Sequence, residues 1–436
     1  MARYAWISAA ALFAVACEAG PESTPPEPSA EWAEPVKVAS GQAYRGPWRM
    51  NDSEFLYVDD PAVALHGEHT YMAWVDNAVQ DVFFQVFDSD GQVYGEEPIN
   101  VSGSGSIFSW LPRVAVEGET VIVAWQEILF TGGSHGGEIL IAHSDDGGRS
   151  FSKPINLSNT AAGAGKGRLT RERWDNGSLD VVISDGQVHV AWTEYEGALR
   201  VATSEDAGQS FSEPVHVAGD DDAPTRAPSL AVGPDGKVWL AWTLGDDDIA
   251  DVHLAWSEAP ANGFSDPGPI HTSSNHADSP ALAVANNGRV HLAWTSSKGG
   301  PFRNSSIVYA HDGDGSGSFS DPTVISGEDT AAYPQLAVFG ERVLASWERL
   351  PRGARRPVGI GHAASDDGGQ TFSEPRKIPG TADSAYGANG GNQGLLMRKL
   401  DLAEDGQVAI GHATFLEGES SAVWLVHGRW RSPPGE

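Results

Sequence analysis

The chain has 436 residues, of which 40% are apolar, and it is rich in glycine (51), proline (27) and tryptophan (15). Its 28 basic and 59 acidic residues give a formal net charge of −31. A field of this sign repels nucleic acid and anionic lipid headgroups, so neither is an expected partner, and it favours a soluble monomer.

The N-terminus has the pattern of an export signal. Arg3 precedes an apolar run from Ala5 to Ala16 that is too short for a membrane span. The run ends in Ala14-Val15-Ala16-Cys17, which resembles a bacterial lipobox, and Cys17 is the only cysteine of the chain. Because an exported protein with a single thiol cannot form an internal disulfide, we expect Cys17 to be lipidated. The alternative is ordinary signal cleavage, with Cys17 incidental.

The chain is predicted to divide into four parts. Residues 1–16 form the signal peptide, and residues 17–33 form the lipidated cysteine with a Pro-rich, acidic linker. Residues 34–430 form the folded domain, and residues 431–436 form a short tail. We therefore expect an exported protein of the bacterial cell envelope, whose lipid anchor holds it at the outer membrane or cell surface.

One segment recurs along the folded domain about every 50 residues. Each copy has alternating apolar runs, a tight turn and a strand that ends in Ala-Trp or Ser-Trp. Asp-Gly or Asn-Gly in the first turn suits a type I′ hairpin. Copies begin near Pro61, Pro112, Leu179, Ser229, Ala281, Gln335 and Lys399. Four antiparallel strands per copy predict an all-β fold, a β-propeller of seven blades, with six blades as the alternative.

The seventh copy lacks a fourth strand before the chain ends. Residues 34–39 match the fourth strand of the third copy, residues 213–218. We therefore expect the N-terminal strand to complete the last blade and close the ring, which removes the free edges of an open sheet.

A Ser-x-Asp-x-Gly-x-Ser/Thr-Phe motif lies between the third and fourth strands. It is complete at residues 144–151, 204–211 and 365–372. The Ser and Asp side chains can hydrogen-bond nearby amides, and the glycine supplies a positive φ angle. The motif resembles the Asp-box (BNR) repeat of the sialidase superfamily, and the resemblance covers residues 34–430. It implies that the Asp boxes are fold elements on the face away from the active site.

The long loops are predicted on the opposite face, at residues 41–57, 128–137, 159–177, 349–357 and 380–397. Sialidases bind a carboxylate with three arginines and attack through a tyrosine that a glutamate assists. The residues that the resemblance offers for this machinery are Tyr333, Glu194, Arg226 and Arg303. Arg226 lies in Thr225-Arg226-Ala227-Pro228, and no set of residues reproduces the whole family pattern.

Aromatic and basic residues on the same face suit a glycan site, with packing of the loops as the alternative role. The predicted binding residues are Arg45, Trp48, Trp110, Arg173, Trp174 and Tyr195. No metal or cofactor is predicted. Clustered carboxylates at residues 220–222 and 246–248 leave Ca²⁺ as an open alternative to a solvated acidic loop.

Two functions remain on the sequence alone. The first is a sialidase-like binding module that recognises a glycan or a surface protein through its loop-rich face. The second is a glycoside hydrolase of the exo-sialidase type, with an arginine cluster and a tyrosine nucleophile. The unmatched arginine pattern and the acidity of the chain favour binding.

Overall fold

A computed structural model describes residues 29–129, 137–160, 163–168, 174–176, 179–246, 249–270, 276–299, 303–313, 315–328, 330–350, 357–381, 388–389 and 399–431. The fold is a seven-bladed β-propeller, so the predicted fold class and the preferred blade number are confirmed. No helix in these ranges is long and apolar enough to span a membrane.

Each blade is a four-stranded antiparallel sheet, and the first strands face a central channel. Blades 1 and 2 comprise Val58–His66, His69–Asp76, Asp81–Asp88 and Val93–Asn100, then Ser109–Glu117, Thr120–Glu127, Glu138–Ser144 and Ile155–Asn156. Blades 3 and 4 comprise Leu179–Ser184, Gln187–Thr193, Leu199–Ser204 and Val215–Ala218, then Thr225–Val232, Val238–Gly245, Ala250–Ser257 and Gly268–Pro269. Blades 5 and 6 comprise His276–Val284, Val290–Ser297, Ser306–Asp312 and Thr323–Val324, then Ala331–Phe339, Arg342–Arg349, Ile360–Ser365 and Arg376–Lys377.

Blade 7 joins the two ends of the chain. Its inner strands are Leu400–Leu402, Gln407–Leu416 and Ser420–Arg431, and its outer strand is the N-terminal Val36–Gly41. Val36 pairs with Leu425 and Gly41 with Ser421, so the predicted closure of the ring is confirmed. Ser29–Trp32, which the sequence places in the linker, also forms a strand, because the long third strand of blade 7 extends far enough to pair with it.

The structure also has smaller elements outside the four-stranded blades. They are the two-stranded hairpins Tyr44–Arg45 with Phe55–Leu56 and Lys166–Arg168 with Trp174–Asn176, the strand Ala388–Asn389 beside blade 7, and a 3₁₀ turn at Pro260–Asn262.

The two rims of the ring differ. The turn after the third strand contacts the turn after the first strand of the same blade, as Gly147 N donates to Glu119 O at 2.8 Å and Gly368 N to Glu341 O at 2.9 Å. We call this side the turn rim. The connections between blades and the loops after the second strands lie on the other side, the loop rim.

The Ser-x-Asp-x-Gly turns are held by their own side chains. In the turn of blade 2, Gly148 N donates to Ser144 Oγ at 2.9 Å, and the Ser150 hydroxyl donates to Asp146 Oδ2 at 2.6 Å. The hydroxyl of Ser150 is the main reason that the pKa of Asp146 is lowered to about 2. The turns of blades 3 and 6 repeat the pattern. The aspartates are thus occupied in holding the turns, as the sequence predicts.

The glycine at the last position of each Ser-x-Asp-x-Gly turn also touches the preceding blade. Gly148 lies against the Phe84 ring, Gly208 against Ile122 and Gly369 against Tyr309. A β-carbon at any of these positions would overlap the neighbouring side chain. The small residue therefore lets one blade approach the next.

The second variable position of these Ser-x-Asp-x-Gly turns offers a test of backbone strain. Gly147 and Gly368 have φ angles of 72° and 70°, whereas blade 3 has Ala207 at 58°. Left-handed backbone costs an ordinary residue ~1–2 kcal/mol, partly offset by the greater freedom of glycine in the unfolded chain. We expect Ala207→Gly to raise the free energy of unfolding by up to ~1 kcal/mol in urea titrations. Gly369→Ala is the opposite change, and its new β-carbon would overlap the Tyr309 ring, so it should lower the free energy of unfolding. An increase in the free energy of unfolding would contradict the packing role of Gly369.

Candidate functional site

Five blades begin their inner strand on the loop rim with the same strained bulge. Asp60, Leu111, Ala227, Ser279 and Tyr333 all have φ angles between 51° and 57°, and each precedes a proline. The pairing with the second strand shifts at each bulge. Backbone strain often marks functional sites, but its recurrence in register indicates architecture here.

Among the described residues, three buried ion pairs join neighbouring blades near the starts of the inner strands. Arg113 of blade 2 lies 3.8 Å from Asp180 of blade 3, and Arg226 of blade 4 lies 2.9 Å from Asp278 of blade 5. Lys399 of blade 7 lies 2.9 Å from Glu348 of blade 6. All six side chains are buried. Removing one partner of such a pair leaves the other charge uncompensated, so these contacts constrain how the blades sit.

Asp60 of blade 1 lies among these charges without an ion pair of its own within the described part of the chain. Its Oδ2 accepts a hydrogen bond from Leu111 N at 3.3 Å, and its Oδ1 is buried without a hydrogen-bond partner among the described residues. Burial, followed by the adjacent Asp59, raises the pKa of Asp60 well above its usual value, although Lys399 and Arg113 oppose the shift. The carboxyl group is therefore stabilised in its neutral form.

An aromatic hairpin covers the loop rim over blades 1 and 2. Its Asn51 side chain donates to Ile128 O at 3.1 Å and accepts from Phe108 N at 3.1 Å. The Trp48 ring lies 5.4 Å from Trp110 and 6.1 Å from Phe55, measured between ring centres, yet Trp48 is 48% exposed. Hence Trp48 is the exposed top of a packed aromatic stack.

Other apolar side chains are exposed near Trp48. Tyr44 and Met50 belong to the same hairpin, and Val79 lies in the adjoining loop of blade 1. The Arg45 guanidinium lies 5.4 Å from the centre of the Phe55 ring, a cation–π contact. We refer to Tyr44, Arg45, Trp48 and Met50 as the platform.

The predicted catalytic residues come from four different blades. Arg226 is fully buried. Its guanidinium group donates to Asp278 Oδ2 at 2.9 Å and to Gly245 O at 2.7 Å. Burial alone would raise the pKa of Asp278, but the Arg226 charge holds it below its usual value. The anion that Arg226 binds in this structure is therefore a side chain of the protein itself.

The other predicted catalytic residues have separate surroundings. Arg303 is exposed in the loop after the second strand of blade 5, and Glu194 pairs with Arg200 at 3.3 Å. Tyr333 is buried at the bulge of blade 6, where its amide donates to Thr295 Oγ1 at 3.0 Å. Their assignment to catalysis stays a prediction.

The predicted binding residues separate into exposed and buried groups. Arg45 and Trp48 are exposed, whereas Trp110 is buried and donates through its indole nitrogen to Asn77 Oδ1 at 2.8 Å. Tyr195 is half-buried, and its amide donates to Gly163 O at 2.9 Å. Arg173 and Cys17 lie outside the described residues, and only the backbone of Trp174 is described.

Sequence reasoning missed Asp60, Arg113, Lys399 and Glu348. A signal existed for this region, since Asp59-Asp60-Pro61 occupies the same place in blade 1 as Arg226-Ala227-Pro228 does in blade 4, with Asp59 matching Arg226 and Asp60 matching Ala227. Among the described residues, no group of three or more His, Cys, Asp or Glu side chains is arranged to hold a metal ion. Asp221 of the acidic loop forms an ion pair with Arg168.

No protein-family model and no curated protein matches the chain. Among solved structures, an ulvan lyase of polysaccharide lyase family PL25 covers 92% of this chain and 98% of its own, with 13% identity and a TM-score of 0.58. The polysaccharide lyase Uly1 covers 92% and 99%, with 11% identity and a TM-score of 0.57. YCF48 bound to D1 peptide covers 93% and 99%, with 14% identity and a TM-score of 0.50. At these identities the likeness is one of fold, the β-propeller.

The buried pair of blades 4 and 5 predicts a large difference between two arginines. Arg226→Met leaves Asp278 buried without its counter-ion and should lower the free energy of unfolding by ~3–5 kcal/mol. The exposed Arg303→Met should change it by less than ~0.5 kcal/mol. Urea unfolding measures both. Equal changes in the free energy of unfolding would show that the Arg226–Asp278 pair does not stabilise the fold. Replacing Arg226 with Met and Asp278 with Leu in one protein should restore much of the stability that Arg226→Met loses.

Proposed function

We propose that this protein binds glycans through the platform on its loop rim. Trp48 carries the proposal, because a large aromatic ring rests on a rigid stack with about half of its surface open to solvent. Such a ring offers a flat apolar face at little entropic cost, since Trp110 and Phe55 already fix it. Neighbouring polar groups, the Tyr44 hydroxyl and the Arg45 guanidinium, supply hydrogen bonds to a ligand that has both apolar and hydroxyl-bearing faces.

The structural neighbours support a carbohydrate ligand. Two of them are polysaccharide lyases that share the propeller over nearly the whole chain. Binding is favoured over sialidase-type hydrolysis because Arg226, the residue that best fits the family motif, is already engaged by Asp278. A glycan-binding role requires only the exposed platform.

The propeller offers a matched control for the platform. Trp256 of blade 4 is 38% exposed and lies towards the turn rim, where Lys237 Nζ is 4.7 Å from its ring centre. We expect Trp48→Ala to abolish retention on a panel of immobilised plant, algal and bacterial polysaccharides, while Trp256→Ala binds like the wild type. By analogy with nucleic-acid bases that stack on aromatic side chains, the loss should be ~1–3 kcal/mol for this ring, or about 5- to 150-fold in affinity.

Three outcomes would reject this assignment. The wild type could bind no polysaccharide of the panel, Trp48→Ala could bind normally, or both tryptophan variants could lose binding together. Capture of a purified surface protein in place of a glycan, with the same dependence on Trp48, would assign the platform to a protein partner instead.

We further propose that the protein is exported and lipidated at Cys17. The strand Ser29–Trp32 supports an orientation, because it pairs with Gly428–Arg431 at the turn rim, where Trp430 N contacts Gly406 O at 2.7 Å. Because the N-terminal segment joins the ring at the turn rim, the loop rim lies on the side of the ring opposite to this segment. The platform would then face away from the membrane, towards glycans outside the cell.

Fractionation of cells tests the anchor. Cys17→Ser should move the protein from the membrane fraction to the soluble exported fraction, because the lipid would no longer be attached. Ser23→Ala, a nearby change that keeps Cys17, should leave the protein with the membranes. Membrane association of the Cys17→Ser protein would reject lipidation.

A further inference from the structure

We infer that Asp60 is a positioning residue for the platform, held as a neutral carboxylic acid, and that its ionisation loosens Trp48. For glycan binding this inference rests on the function proposed above. Its structural part, the link between Asp60 and Trp48, stands on the contacts of blades 1 and 2.

Blade 1 takes part in none of the three buried ion pairs of the loop rim. These pairs join blade 2 to 3, blade 4 to 5 and blade 6 to 7. Asp60 lies in blade 1, between blades 7 and 2, and is 1% exposed. Within the described part of the chain it has no ion pair.

A short path of contacts leads from Asp60 to the platform. Asp60 Oδ2 accepts the amide hydrogen of Leu111, which follows Trp110 in the chain. The Trp110 ring in turn supports Trp48 at 5.4 Å between ring centres. Leu111 has a φ angle of 57°, a strained conformation that the surrounding contacts must hold. Asp60 therefore fixes the backbone beneath the stack.

The charges that face Asp60 determine what its ionisation does. Asp59 adjoins it on the same strand, Arg113 approaches from blade 2 and Lys399 from blade 7. Lys399 lies 2.9 Å from Glu348, and Arg113 lies 3.8 Å from Asp180. An ionised Asp60 would attract both cations and so shift Lys399 and Arg113 relative to these partners. Because Arg113 lies two residues from Leu111, such a shift would disturb the start of the inner strand of blade 2.

Burial of Asp60 raises its pKa, and this agrees with the neutral form. A carboxyl group with a raised pKa in the folded protein contributes stability below its unfolded pKa, and this contribution is lost as the pH rises through the folded pKa. Asp60→Asn, which keeps an acceptor for Leu111 N but cannot ionise, should therefore be more stable than the wild type at high pH. The difference should shrink in acid.

Infrared spectroscopy tests the protonation of Asp60 directly. The carbonyl band of a protonated carboxyl group should persist in the wild type at a pH where ordinary carboxyl groups are ionised, and Asp60→Asn should lose the part of this band that comes from Asp60. Asp52→Asn removes an exposed carboxylate of the hairpin and should keep the band. A wild-type spectrum without this band at neutral pH would overturn the neutral state of Asp60.

Acrylamide quenching tests the link to Trp48 without any glycan. The Trp48 signal is the difference between each protein and its Trp48→Phe counterpart. We expect its quenching to increase with pH in the wild type and in Asp52→Asn, and to stay constant in Asp60→Asn. Asp60→Ala, which removes the acceptor for Leu111 N, should show high quenching at every pH. A wild-type profile that is flat with pH, or one that Asp60→Asn shares, would overturn the coupling.

The polysaccharide panel then separates the two proposals. Retention of the wild type should fall as the pH rises, and retention of Asp60→Asn should not. Lack of retention at every pH would reject glycan binding, while the quenching profiles would still decide the role of Asp60.

Discussion

The antiparallel pairing of the N-terminal strand Val36–Gly41 with Ser420–Arg431 is the constraint on which the rest of the structure depends. It closes the ring with residues from both ends of the chain and supplies the fourth strand that the C-terminal part of blade 7 lacks. Once the ring is closed, every blade has two neighbours. The buried charged side chains at the start of the inner strands must then pair with one another across blade boundaries.

Those boundaries are organised differently on the two rims. On the turn rim, glycines such as Gly369 allow one blade to touch the aromatic ring of the preceding blade, and the Ser and Asp side chains hold the turns locally. On the loop rim, buried ion pairs such as Arg226–Asp278 join the blades. The turn rim is thus built from repeated short-range contacts, whereas the loop rim contains individual charged groups, and it is there that a site specific to this protein can arise.

One buried carboxyl group of this rim lies beneath the aromatic hairpin. Asp60 belongs to the blade that also carries the hairpin, and it has no ion pair within the described residues. Asp60 is less stable as an anion than its ion-paired neighbours are, because burial costs it hydration that no ion pair replaces. Trp48 and Asp60 are therefore related by position, as the exposed and buried ends of one packed column.

The sequence by itself determined the blades, their number, the closing strand and the turn chemistry of Ser144, Asp146 and Gly148. These features depend on contacts within a few residues or on a pattern that recurs with the repeat. Only the tertiary structure decided that Arg226 binds Asp278, that Trp110 is buried while Trp48 is exposed, and that Asp60 has no ion pair among the described residues. Such outcomes depend on which side chains of neighbouring blades and loops meet, and the spacing of residues within one repeat carries no information about that.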